Sequence, residues 1–218
     1  MIKLKKKMMK RIFFVLLVSI MGIGCFAQGT IQLPVPQKEG GKPLMSALND
    51  RHSSRNFTAK DLTDQQLSNL LWAAWGINRP KENKHTAPSS HNTQEMDVYI
   101  TTSRGAFRYD PVENTLIRIT SDDVRSSTGA QDFVKVAALN LVYVMDKKRT
   151  TPTKNETDRM VAASICTGAI VQNVYLWCAS EDLGCVVRAM FDKDQLAKTL
   201  KLSEDQVIIV TQTVGYLQ

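Results

Sequence analysis

The sequence is poor in the residues that interrupt structure and in those that usually catalyse. Among 218 residues there are only 11 Gly and 7 Pro, too few for a collagen-like, low-complexity or disordered chain. The histidines are His52, His85 and His91 alone, and the last two stand six apart in a polar stretch with no cysteine pair nearby. That is not metal-ligand spacing. A Gly-x-Ser-x-Gly elbow, a Walker loop and a Gly-x-Gly-x-x-Gly turn are all missing, which removes the commonest nucleophile and phosphate-cradle signatures. An enzyme made from this sequence would import its reactive group.

Charge of one sign is also scarcer than it looks. The net charge is +7, but Lys3, Lys5, Lys6, Lys7, Lys10 and Arg11 fall in the first 27 residues with no acid among them. The remaining 22 cations face all 21 acids, so the rest is nearly neutral and a nucleic-acid partner loses its electrostatic support. The cationic start, the uncharged apolar run 12–26 and Cys25-Phe26-Ala27 before Gln28 read as a secretory leader over 1–27. Export to a periplasm-like compartment follows as an expectation, with a lipid anchor on Cys25 or a retained anchor as alternatives. Removing Cys25 leaves Cys166, Cys178 and Cys185, an odd number that completes no disulfide framework. Cys166 and Cys178 are twelve apart in a helical pattern, about 18 Å along the axis, too far to bridge. The three read as small buried apolar side chains.

What is present is a globular balance, 43% hydrophobic and 22% charged, enough for one substantial core. Residues 28–42, with Pro34 and Pro36, read as an extended arm, and 43–218 as a single domain. A short helical pattern covers 43–50. The spacing of Leu67, Leu70, Leu71, Ala74 and Trp75 predicts a helix from Thr63 to Gly76, followed by a polar loop over 78–94. Strands are expected at 96–102, in a hairpin of 106–109 with 115–120, at 185–189 and at 206–214. The apolar run 137–145 reads as a central strand covered on both faces. Residues 155–181 form the longest helical pattern. Its uncharged stretch 160–180 passes a length test for a membrane span, but Ser164, Thr167, Gln172 and Asn173 interrupt it, so it reads as the buried spine of a domain or dimer. A last helix is expected at 193–200. The class is α+β, with a mostly antiparallel sheet flanked by helices. Trp72, Trp75, Tyr175 and Trp177 stand at helical positions and read as core.

Two polar clusters carry chemistry. Arg51-His52-Ser53-Ser54-Arg55 places two guanidiniums around two hydroxyls and an imidazole, the donor set that a phosphate takes; a solvated surface loop is the plainer reading. Pro88-Ser89-Ser90-His91-Asn92-Thr93-Gln94 offers hydroxyl and amide groups able to read a polar heterocycle. Lys147-Lys148-Arg149 reads as a solvated turn, with a phosphate contact as its alternative.

In this order the clusters resemble the FMN-dependent nitroreductase family. Arg51-His52-Ser53-Ser54-Arg55 fits its phosphate loop and Pro88-Ser89-Ser90-His91-Asn92 its Pro-Ser-x-x-Asn loop. Leu70-Leu71-Trp72-Ala73-Ala74-Trp75-Gly76 and Phe107-Arg108-Tyr109-Asp110-Pro111 look like the azoline (thiazole/oxazole) dehydrogenase branch. The resemblance covers roughly 44–216. It implies a homodimer with FMN at the interface, a hydride or electron donor of the NAD(P)H class and a small-molecule acceptor such as a nitroaromatic or quinone. Arg51, Ser53 and Arg55 would hold the FMN phosphate, with His52 beside the ribityl chain or ring edge. Pro88, Ser89, Ser90 and Asn92 would reach the flavin of the other subunit, and Ala189 and Met190 would lie against the flavin N5 side. No catalytic side chain is implied. The chain departs from the pattern twice: no Lys or Arg follows the last strand, and Met190-Phe191-Asp192 stands where Gly-Phe-Asp is common. A flavin carrier without turnover, an azoline oxidase and a cofactor-free interaction module remain as alternatives.

Overall fold

Thr63 starts the first long helix by a reciprocal cap. Its hydroxyl accepts from Gln66 N at 3.2 Å, and the Gln66 side chain accepts from Thr63 N at 3.1 Å, satisfying donors that the first helical turn leaves open. The helix, α2 (Asp64–Trp75), turns Leu67, Leu70, Leu71, Ala74 and Trp75 inward and stops at Gly76, where a Cβ would run into the Trp72 ring. Leu70 and Leu71 are wholly buried; truncating either to Ala would cost about 2–5 kcal/mol.

The computed structural model describes residues 29–150 and 155–218, and the contacts gather Ile31–Gln218 into one unit. The leader expected at 1–27 and Cys25 lie outside the described residues. Ahead of α2 lies α1 (Leu44–Asp50), and α3 (Glu156–Ser180) and α4 (Lys193–Thr199) interrupt the later strands, on either side of the segment 184–188. Seven strands form one sheet in the order β1 (Thr30–Gln32), β6 (Thr115–Thr120), β5 (Gly105–Asp110), β4 (Met96–Thr102), β7 (Leu139–Asp146), β9 (Gln206–Gly215) and β8 (Gly184–Arg188). The pairings of β4, β5, β6, β7, β8 and β9 are antiparallel, with Val98 opposite Tyr143 and Leu141 opposite Gln212. The α+β architecture is the expected one.

β7 is an interior strand between β4 and β9, and the alternation of its side chains separates two cores. Leu141, Tyr143 and Met145 join the core beneath α2 and α3, whereas Val142 and Val144 pack with Leu196 and Leu200 of the α4 region. Two details went unread in the sequence. The arm supplies the edge strand β1 and buries Leu33, whose N–H donates to Asn114 O at 3.2 Å. The polar loop holds a small two-stranded sheet, β2 (Ile77–Arg79) with β3 (Lys84–His85), pinned by His85 stacked on Trp75.

α3 is long and apolar enough to cross a membrane by length and composition. Here it is a core helix: Ala163, Cys166, Ile170, Val174 and Cys178 pack inward. Its opposite face is open, with Val161 53% and Ile165 69% exposed. Among the described residues, helix and sheet thus leave one apolar stripe of α3 uncovered.

Candidate functional site

The loop 51–55 follows α1 without regular secondary structure, and within it only Ser54 is fully buried. Ser54 faces in and its N–H donates to Cys185 O at 2.9 Å, anchoring the loop on β8. Ser53 and Arg55 are exposed and Arg51 half-buried. The Ser53 hydroxyl lies 2.9 Å from the Tyr175 hydroxyl, which also accepts from Val187 N at 3.0 Å. Tyr175 therefore joins the loop, α3 and β8 through a single oxygen. The Arg51 guanidinium lies 5.3 Å from the centre of the Tyr175 ring, within cation–π range. His52 donates Nδ1–H to Asp50 O at 2.7 Å, since a carbonyl can only accept.

Among the described residues neither Arg51 nor Arg55 has a carboxylate partner, whereas the other basic cluster is fully paired. Lys148 meets Asp205 at 2.7 Å, Arg149 meets Asp97 at 2.7 Å and Asp146 at 3.3 Å, and Lys147 meets Glu156 at 3.5 Å. The Lys147-Lys148-Arg149 turn is spent on the protein's own acids, while the 51–55 loop keeps two guanidiniums and a hydroxyl for an anion. That donor set fits an FMN phosphate.

β8 ends at the same place. Ala189 is exposed and Met190 67% exposed, and the Met190 carbonyl accepts from Ala130 N at 3.3 Å. Arg188 just before them points inward and is 6% exposed. Its guanidinium donates to Thr213 Oγ1 (2.9 Å), Thr128 O (2.7 Å) and Asn140 Oδ1 (2.8 Å). Burial among neutral acceptors pulls its pKa down to about 10, so it stays a cation at neutral pH. These bonds hold the 188–190 backbone against the 128–130 segment.

The second cluster is elsewhere. Ser90–Asn92 forms a tight 3-10 turn in which His91, Asn92 and nearby Gln94 take left-handed φ of 50°, 56° and 52°, an uncommon concentration for residues with side chains. Ser89 Oγ accepts from Gln94 N at 3.0 Å and stabilises that path. Pro88, Ser89 and Ser90 line a cavity with Val161, Ile165 and Cys166 of α3. Burial first, and the Glu95 carboxyl next, push the Cys166 thiol up to about 12, and Cys178 and Cys185 are buried thiols as well; none is disposed as a nucleophile. Ala162 and Tyr175 are thirteen residues apart on one helix, about 20 Å along its axis. One chain thus brings Arg51 and Ser53 to Tyr175 beside Val187, two residues before Ala189, and keeps Pro88, Ser89 and Ser90 against the other end of α3.

Tyr175 is the site residue that sequence reasoning missed. A Tyr on the apolar face of a helix looks like core, and its ring is core; only the tertiary structure brings Ser53 and Val187 to its hydroxyl. Among the described residues no three His, Cys, Asp or Glu side chains come together as a metal site.

The chain is similar to known proteins in sequence and in fold. Residues 48–216 match the model of the nitroreductase family. A Methanocaldococcus jannaschii protein carrying the nitroreductase name is 27% identical over 192 residues, 83% of this chain and 95% of its own. A solved nitroreductase-named structure from Ralstonia eutropha is 40% identical, with a TM-score of 0.82 over 89% of this chain and 92% of that one. The E. coli microcin synthetase complex McbBCD, with truncated pro-MccB17 bound, contains a chain of the same fold, 18% identical with a TM-score of 0.66 over 86% of this chain and 79% of that one. Family model and 40%-identical structure together carry the assignment: this chain belongs to the nitroreductase family, a family of oxidoreductases.

Proposed function

We propose that this protein is an FMN-dependent oxidoreductase acting on a small acceptor such as a nitroaromatic or quinone, with a donor of the NAD(P)H class. The observation that carries the reading is the loop 51–55, held on α3 and β8 through Tyr175, with two guanidiniums that no carboxylate of the described chain neutralises. The chemistry supplied by bound FMN is the relay of hydride and electrons between donor and acceptor. Arg51, Ser53 and Arg55 bind the phosphate. His52, its Nδ1–H given to Asp50 O, would lie beside the ribityl chain or ring edge. Arg188 and the Ala130–Met190 hydrogen bond fix the Ala189–Met190 backbone that orients the ring system. No side-chain acid or base is required.

The site is completed across a homodimer in this reading. The exposed stripe Val161–Ile165 supplies apolar surface for a second copy, and the 20 Å offset along α3 is removed when Pro88, Ser89, Ser90 and Asn92 come from the partner. The protein works after export, cleaved before Gln28; amino-terminal sequencing of the secreted form checks this. The fold shared with the microcin synthetase complex favours azoline oxidation as the second reading.

The test is the visible spectrum of the purified chain after addition of FMN and desalting. Retained flavin bands that bleach with NADH and return with a quinone or nitroaromatic support the reductase. Bands that bleach only as an azoline substrate is oxidised support the second reading. A colourless protein overturns both.

A further inference from the structure

Arg188 ends β8 as a buried cation. Each guanidinium nitrogen donates to a neutral oxygen: Nε to Thr213 Oγ1 of β9, Nη1 to Thr128 O and Nη2 to Asn140 Oδ1 of β7. Those acceptors are themselves held. Asn140 Nδ2 donates to Val134 O at 2.9 Å, Thr213 Oγ1 to Asn140 Oδ1 at 2.7 Å and Thr211 Oγ1 to Thr128 O at 3.1 Å. Thr128, Asn140, Thr211 and Thr213 are wholly buried. Gly129 leaves the room that Nη1 takes, and the Phe133 ring centre lies 5.9 Å from the guanidinium carbon.

What surrounds Arg188 contains no anion. Among the described residues no carboxylate meets its guanidinium. Arg125, the other buried arginine of this face, is neutralised by Asp123, at 2.7 Å from Nη2 and 3.0 Å from Nε. Asp192, four residues past Arg188, turns its carboxylate to Gln195 N at the start of α4. Burying a guanidinium without a counter-charge is costly, and a neutral amide side chain could tie the same strands by hydrogen bonds. The charge itself therefore calls for a use, and in a dry interior its field is weakly screened. The guanidinium is tied to both segments that carry the strand end: Nη1 holds Thr128 O, and two residues on Ala130 N donates to Met190 O at 3.3 Å.

We propose that the buried charge of Arg188 raises the reduction potential of flavin bound at Ala189–Met190 by favouring the reduced form. A hydride carries two electrons and one proton from the donor to FMN. The donor leaves with one more positive charge, and the bound flavin holds one more negative charge. A fixed cation close to that strand end favours this product and makes the bound flavin a stronger oxidant of its donor. Arg188 acts without touching the flavin, as a positioning residue. This inference rests on the proposed function.

The test is the midpoint potential of FMN bound to the purified full chain, read by equilibration with reference dyes, in wild type, Arg188→Met, Arg188→Lys and Asn140→Asp. Asn140→Asp keeps the oxygen that Nη2 holds and adds a carboxylate, so it cancels the charge without removing the arginine. Arg188→Met and Asn140→Asp should each lower the midpoint by about 30 mV, a tenfold loss of preference for reduced flavin in a two-electron couple. Arg188→Lys, which keeps the charge and loses the fork of hydrogen bonds, should retain the wild-type potential. A merely structural role would weaken oxidised and reduced flavin alike and leave the potential unmoved. If circular dichroism shows that Arg188→Met does not fold, Asn140→Asp and Arg188→Lys carry the comparison. An unchanged potential in the folded charge-cancelling variants, or a lysine variant that falls with them, overturns the inference alone. A chain that takes up no FMN overturns the proposed function and this inference with it.

Discussion

The Ser53 and Tyr175 hydroxyls meet at 2.9 Å across 122 residues of sequence, and the same Tyr175 oxygen accepts the Val187 N–H. This junction holds the anion loop against the helix and strand that frame the site. Tyr175→Phe leaves the ring packed and removes the junction. The expected cost is about 1 kcal/mol of stability, with a larger proportional loss of FMN affinity. Flavin fluorescence titration of Tyr175→Phe, Ser53→Ala and the double variant should show non-additive losses, because the two residues act through one contact.

Arg51→Met and Arg55→Met separate phosphate binding from ring binding. Each loses charge-assisted hydrogen bonds, so FMN should bind about 10- to 100-fold more weakly. Riboflavin, which lacks the phosphate, should bind each variant as it binds the wild type. Equal losses for both flavins would show that the loop does not hold the phosphate.

Burial is the main cause that lowers the His85 pKa below its ordinary value of 6.5, against the bond to Trp75 O that raises it. Protonation is thus harder in the folded chain than in the unfolded one. On acidification the unfolded state takes up this proton first, so the stability is fully present above pH 6.5 and falls as pH drops through the depressed folded value. Denaturant midpoints at pH 8 and pH 5 should differ less in His85→Phe, which keeps a ring stacked on Trp75, than in the wild type.

Ile165→Asp places a charge in the exposed stripe of α3. Within the chain the residue is 69% exposed, so little loss of fold stability is expected. In the proposed dimer it is buried. Size-exclusion chromatography should show a shift to monomer, and FMN retention should fall with it.

Gly129 is extended rather than left-handed, and its constraint is space: a Cβ there would meet Arg188 Nη1, which Thr128 O holds at 2.7 Å. Gly129→Ala should destabilise the protein by roughly 2 kcal/mol as an overpacking change. Arg188→Met/Gly129→Ala should show less than the sum of the two single losses, read from denaturant midpoints.

Much of the fold was legible because it follows from local rules. The Thr63 cap, the 3.6-residue spacing of α2 and the unbroken apolar run of β7 each declare their structure within a dozen residues. The edge strand β1 and the β2–β3 pair were not legible, since a two- or three-residue strand has no periodicity of its own and exists only through its neighbour. In the site, Arg51, Ser53 and Arg55 stood out by composition. Tyr175 and Arg188 did not, because an apolar helix face and a strand end are ordinary settings for such residues until their partners are known.

The sequence by itself determined the helices α2 and α3, the buried strand β7 and the loop bearing two guanidiniums, because these depend on residue type and short spacing. The tertiary structure alone decided which of these cations lack a carboxylate partner among the described residues, Arg51 and Arg55 rather than Lys147, Lys148 and Arg149. It also decided that the two polar clusters lie at opposite ends of α3, and that Arg188 is buried among neutral acceptors. Pairing of charges and satisfaction of buried polar groups depend on contacts between residues distant in sequence, and only the folded chain brings those together.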